Sequence, residues 1–91
     1  MTRRYIVTGR VQGVGFRWFV EKEARKIGVS GWVRNTDDGS VEVLASGTSD
    51  QLERLRKALK QGPRAARVDE VQEVDVEQEH SDPSFRIEGA W

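Results

Sequence analysis

Three observations predict an α+β fold, an antiparallel sheet with two helices packed on one face. Short stretches of period-two hydrophobicity recur along the chain, two stretches at helical spacing interrupt them, and 91 residues leave room for one core only. One domain, residues 1–91, is therefore expected. Aliphatic and aromatic residues supply 36% of the chain and glycine adds nine more positions, which suits a packed core and argues against disorder throughout.

Taken in order, Tyr5, Val7, Gly9 and Val11 share one face of a first strand running from Arg4 to Val11. Phe16, Phe19, Val20, Glu23 or Ala24, and Ile27 follow at helical spacing, with Glu21 four residues before Arg25 on the outer surface. Gly28 supplies the stop. Gly31 to Asn35 reads as a second strand, Thr36-Asp37-Asp38-Gly39 as a turn, and Ser40 to Ser46 as the partner strand, with Val41, Val43 and Ala45 inward. Thr48-Ser49-Asp50-Gln51 has the form of a capping box, in which Thr48 caps and Gln51 reaches back. Leu52, Leu55 and Leu59 form the stripe of that second helix, Glu53 and Lys57 lie one turn apart on its exposed side, and Gly62-Pro63 ends it. Val68 to Glu77 is a further strand with inward candidates Val68, Val71, Val74 and Val76. Their parity slips between Val71 and Val74, which predicts a bulge or bend at that point. Phe85 and Ile87 mark a short last strand. No internal repeat is present, and Gln61 to Ala66 and Glu77 to Pro83 are too short to divide domains. The order β-α-β-β-α-β plus a terminal strand is the ferredoxin-like plan, which by itself assigns no function.

Charge narrows the partners. Fifteen basic residues cancel fifteen acidic ones, so there is no net field to draw nucleic acid or an anionic membrane, and any affinity for anions must be local. Cysteine is absent, which removes disulfides and thiolate metal ligands. Met1-Thr2-Arg3-Arg4 leads into an alternating segment, not a long apolar one, and no stretch approaches the roughly 20 apolar residues that span a bilayer. A cytoplasmic monomer is expected.

The segment with the most chemical content lies between the first strand and the first helix: Gly9-Arg10-Val11-Gln12-Gly13-Val14-Gly15-Phe16-Arg17. Glycines directly before a helix permit a tight turn whose amides point inward, and the helix N-terminus adds positive potential. The same glycines also serve a plain chain reversal. Arg17, just inside the helix, offers a permanently charged, planar, multi-donor group to any anion held there. No Lys-Ser or Lys-Thr follows the loop and no parallel sheet continues from it, which disfavours both common nucleotide fingerprints.

Gly9 to Arg17 resembles the first signature of the acylphosphatase family, G-x-V-Q-G-V-x-F-R, at every fixed position. Gly31-Trp32-Val33-Arg34-Asn35, with Gly39, Val41 and Gly47, is similar to the second. The resemblance spans nearly the whole chain, is weakest from Gln61 to Pro83, and offers no counterpart for Gly89-Ala90-Trp91. It implies hydrolysis of acyl phosphates to carboxylate and inorganic phosphate. It further implies that backbone N–H groups of Gln12, Gly13, Val14, Gly15 and Phe16 receive the phosphate, that Arg17 clamps it, and that Asn35 positions the attacking water. An acyl phosphate has a good carboxylate leaving group, so orienting water and stabilising phosphoryl charge suffice without a strong general base. No metal or other cofactor is implied, and the chain has one lone histidine and no carboxylate cluster at ligand spacing.

Other residues read as structural. His80 sits in a polar stretch as a solvated loop histidine. Asp37-Asp38 before Gly39 is an ordinary turn and a poor cage for Mg2+. Trp18 and Trp32 flank the two site residues, either lining a substrate mouth or packing, and Trp91 is a terminal side chain, docked or exposed. Two non-catalytic readings compete on the same fold. One is a binding module like the related domain at the head of a large hydrogenase-maturation protein, where zinc-binding Cys motifs follow that are lacking here. The other is an RNA-binding domain, against which Ser40-Val41-Glu42-Val43-Leu44 shows no aromatic pair for stacking bases.

Overall fold

The computed structural model describes residues 1–77 and 82–89. Its elements are β1 (Thr2–Arg10), α1 (Phe16–Ile27), β2 (Ser30–Asn35), β3 (Val41–Ser46), α2 (Ser49–Gln61), β4 (Arg67–Val76) and β5 (Phe85–Ile87). The sheet order is β4-β1-β3-β2-β5. β1 runs antiparallel to both β3 and β4, and β2 antiparallel to β3, so β1 and β2 point the same way with β3 between them. This split β-α-β pairing, repeated by β3-α2-β4, is the ferredoxin-like arrangement. β5 lies parallel to β2, with Gly31 opposite Phe85 and Val33 opposite Ile87, and makes the sheet mixed at that edge.

Strand alternation puts Tyr5, Val7, Val33, Val41, Val43 and Ala45 on the helix-facing side, where they are fully buried. Against them α1 lays Phe16, Val20 and Ala24, and α2 lays Leu52, Leu55 and Leu59. The capping box forms as the sequence predicts: Thr48 Oγ1 accepts from the Gln51 amide at 3.1 Å and Gln51 Oε1 from the Thr48 amide at 2.8 Å. Glu21 and Arg25 pair at 3.4 Å, whereas Glu53 pairs with Arg56 at 3.1 Å, three residues on, in place of the expected Lys57.

The slip in β4 falls elsewhere than the valines suggest. Val7 faces Val71 and Gly9 faces Val68, so the register shifts opposite Thr8/Gly9 and the extra residue is Asp69. That bulge, and not one between Val71 and Val74, brings Val68 and Val71 onto the same face. Gly9 permits it, because a side chain there would meet the Arg67 carbonyl oxygen at 2.2 Å. Val74 and Val76, opposite Arg4 and Thr2, belong to the other face, and Val74 is 58% exposed. On either side of Val74, β4 offers Glu73 and Asp75 to the helix side, where Arg3 pairs with Asp75 at 2.8 Å. A sequence reading that assigned every valine inward missed charge pairing at the strand's end.

Tyr5 ties β1 to α2. Its hydroxyl donates to the Leu52 carbonyl at 2.9 Å, and burial pushes the phenol up to about 12 from 10.0. The unfolded chain therefore loses this proton first as pH rises, and the stability it contributes is intact below pH 10 and lost progressively towards pH 12. At about 1.4 kcal/mol per unit, the two-unit difference is worth about 3 kcal/mol. Urea midpoints are expected to fall steeply across that window in the wild type and much less in Tyr5→Phe; parallel curves for the two proteins would refute the assignment.

Candidate active site

The loop between β1 and α1 is shaped by its glycines. Gly13 and Gly15 have φ of 74° and 77°, and nothing lies within 4 Å of where either Cβ would be. Space is thus available for side chains, and what demands glycine is the left-handed backbone. Gly15 is the N-cap of α1, no side chain caps that end, and the first turn contains no acidic residue. A helix opening in this way presents its first amides and its positive end to whatever enters the loop.

Asn35 comes from the opposite structural unit, the last residue of β2, where it pairs with Val41. The two units are joined by Gln12. Its side-chain amide donates to the carbonyls of Thr36 and Ser40, each at 2.8 Å, and so bolts the loop to the β2–β3 turn. Within that turn Asp38 accepts from the Thr36 hydroxyl and, at 3.1 Å, from the Ser40 amide. The Thr36 hydrogen bond, followed by those from Ser40, holds the Asp38 carboxyl below its ordinary range. Asp38 is therefore committed to the turn.

Arg17 and Asn35 meet at one pocket of about 90 Å³, lined also by Val11, Gly13, Gly15, Phe16 and Trp18. This is far below the ~300–1,000 Å³ of sites that enclose drug-sized ligands, so it fits a small anion and not a whole organic substrate. The side chains of Gln12 and Val14 are engaged elsewhere, Gln12's with the turn and Val14's against the core, whereas the expectation for these two residues concerns their main-chain N–H groups. Arg17 Nη1 donates to the Glu88 carbonyl at a long 3.5 Å, just past the end of β5. Asn35 Oδ1 is buried and finds no hydrogen-bond donor among the described residues. Such an orphan acceptor costs free energy in a folded protein and calls for an explanation.

Three features escaped sequence reading. The Gln12 clamp was invisible because its partners are main-chain carbonyls 24 and 28 residues away; the Glu88 carbonyl beside Arg17 depends on β5 docking. The tryptophans, left open by the sequence, take separate places. Trp18 is 78% exposed at the pocket's rim. Trp32 lies under the Arg34 guanidinium at 4.8 Å, and Arg34 in turn bonds the buried Glu42 at 2.8 Å on the open face of the sheet. Among the described residues, no three His, Cys, Asp or Glu side chains gather as a metal ion would require, and no helix is long and apolar enough to cross a membrane. His80 and Trp91 lie outside the described residues.

A ferredoxin-like sheet whose first strand-to-helix loop, adjoining arginine and facing asparagine line one small pocket defines a class of small α+β domain with a site of anion size at a helix N-terminus. Comparison with known proteins narrows it. The acylphosphatase family model matches residues 3–87, and an acylphosphatase of Koribacter versatilis is 62% identical over 90 residues, covering 99% of this chain and 82% of that one. The crystal structure of acylphosphatase from Bacillus subtilis superposes with a TM-score of 0.93 at 41% identity, covering 97% of this chain and 98% of that chain. Full-length HypF, in a phosphate- and nucleotide-bound form, matches at a TM-score of 0.85 and 30% identity, with 97% of this chain against 12% of its own length. The chain belongs to the acylphosphatase family, enzymes that hydrolyse the carboxyl–phosphate bond of small acyl phosphates.

Proposed function

We propose that Arg17 and the main-chain N–H groups of residues 12–16 hold the phosphoryl group of an acyl phosphate while Asn35 orients the water that attacks it. The reading is supported above all by one observation: Arg17 and Asn35, from different elements, line the same pocket, and among the described residues none bonds the buried Oδ1 of Asn35. A water held there donates one hydrogen to Oδ1, which aims its lone pair at phosphorus. As the oxygen–phosphorus bond forms, the bond from phosphorus to the carboxyl oxygen breaks and the pair of electrons leaves with the carboxylate. The water's proton passes to a phosphoryl oxygen, so one acyl phosphate and one water give a carboxylate and dihydrogen phosphate. Charge accumulating on the phosphoryl oxygens is met by Arg17, the loop amides and the start of α1, all fixed before the substrate arrives.

On this reading the enzyme acts as one domain, residues 1–91, a cytoplasmic monomer without metal or other cofactor, taking acyl phosphates and releasing inorganic phosphate, with no nucleic acid partner. Balanced charge and the small leaving-group demand support it. Benzoyl phosphate is expected to turn over at an undiminished rate in the presence of a chelator. Activity that disappears with chelator and returns with a divalent cation would overturn metal independence, and binding of phosphate without any turnover would favour a non-catalytic module.

A further inference from the structure

The pocket of about 90 Å³ receives a phosphoryl group and leaves the acyl group outside. Two wider grooves share a wall with it. One, of about 660 Å³, is bounded by Trp32, Arg34, Asp37 and Glu88 and includes Asn35. The other, of about 570 Å³, is formed by Trp18, Phe19, Glu21, Lys22 and Arg25 and shares Trp18 with the phosphate pocket. In-line displacement decides between them. The attacking water and the departing oxygen lie on opposite sides of phosphorus, so the acyl group leaves away from Asn35 if Asn35 holds the water. The groove containing Asn35 is then on the water's side.

We infer that Trp18 is the acyl-binding residue of this enzyme, and that its groove selects acyl phosphates with an aromatic or bulky apolar acyl group. The inference rests on the roles given above to Arg17 and Asn35. A lone exposed tryptophan needs no explanation, but this one, 78% exposed, stands at the mouth of the pocket. Helical spacing sets the rest of the groove: Trp18, Glu21 or Lys22, and Arg25 fall three, four and seven residues apart on one outer stripe of α1, leading away from the pocket. The floor is firm. Phe19 packs on the core with its ring 6.1 Å from that of Phe16, and Arg25 is held by Glu21 at 3.4 Å and the Phe85 carbonyl at 3.4 Å. An aryl ring lying on the indole gains offset stacking and sheds water from both faces, whereas the methyl group of acetyl phosphate offers little to the same surface.

The test compares benzoyl phosphate and acetyl phosphate on the full chain carrying Trp18→Ala, Trp18→Phe or, in the other groove, Asp37→Asn. Trp18→Ala is expected to raise KM for benzoyl phosphate about tenfold while KM for acetyl phosphate and inhibition by inorganic phosphate stay within about twofold, and Trp18→Phe to restore most of the difference. Equal losses on the two substrates, no change on either, or a benzoyl-selective loss in Asp37→Asn would each overturn the inference. Failure of its premise has a separate signature: Asn35→Ala would keep full turnover of acetyl phosphate, which removes the in-line direction and the inference with it.

Discussion

Arg17→Ala is expected to lower kcat/KM for benzoyl phosphate about 10²- to 10³-fold, the loss of about 2.7–4 kcal/mol that follows removal of one preorganised donor. Inhibition by inorganic phosphate should weaken alongside, because the guanidinium meets the phosphoryl oxygens in the ground state as well as in the transition state. Stability should barely move. Among its described contacts, Arg17 gives the fold a hydrogen bond to the Glu88 carbonyl at 3.5 Å, the outer limit for such a bond, and it does not belong to the buried core. A change of this kind is worth within about 0.5 kcal/mol. Arg17→Lys should recover little, since a single ammonium keeps the charge and loses the planar fork. Phosphate inhibition left intact in Arg17→Ala, whatever happens to turnover, would show that the arginine does not hold the anion.

Much of this geometry was legible in the residues because local signals and the global fold agree. The leucine stripe and capping box of α2, the glycine stop of α1 and the alternation of β3 each depend on neighbours close in sequence, and each appears where expected. The loop from Gly9 to Arg17 was legible for another reason: left-handed turns before a helix require glycine, so the backbone path is written in residue type. β4 was misread because an edge strand with charged residues on both faces has no clean hydrophobic parity. Its register is fixed from outside, by Gly9 yielding space to Asp69. At the site, Arg17 and Asn35 were nameable as residues, but their meeting depends on Gln12 reaching the turn carbonyls, a contact that carries no side-chain complement to search for. Trp18 and Trp32 were equivalent in sequence and became distinct once strand parity put one under Arg34 and helix phase put the other at the pocket's rim.

Asn35→Ala should separate catalysis from binding. Turnover of benzoyl phosphate is expected to fall about 10²- to 10³-fold through kcat, by the same order as loss of an oxyanion-hole donor. The inhibition constant for phosphate should stay near the wild-type value, since on the proposed roles the carboxamide touches the nucleophile and not the bound anion. The more telling readout is stability. Among the described residues nothing bonds the buried Asn35 Oδ1, so the carboxamide oxygen holds no other part of the protein in place. Removing the side chain breaks no hydrogen bond to that oxygen from the described residues, and the β2–β3 pairing of residue 35 with Val41 runs through the main chain and survives. The melting temperature should therefore hold as activity collapses, which is the pattern of a side chain kept for chemistry and not for the fold. If Asn35→Ala instead melts lower and binds phosphate as poorly as Arg17→Ala, the carboxamide is part of the anion cradle or the hairpin's scaffold, and the water must be oriented by something else.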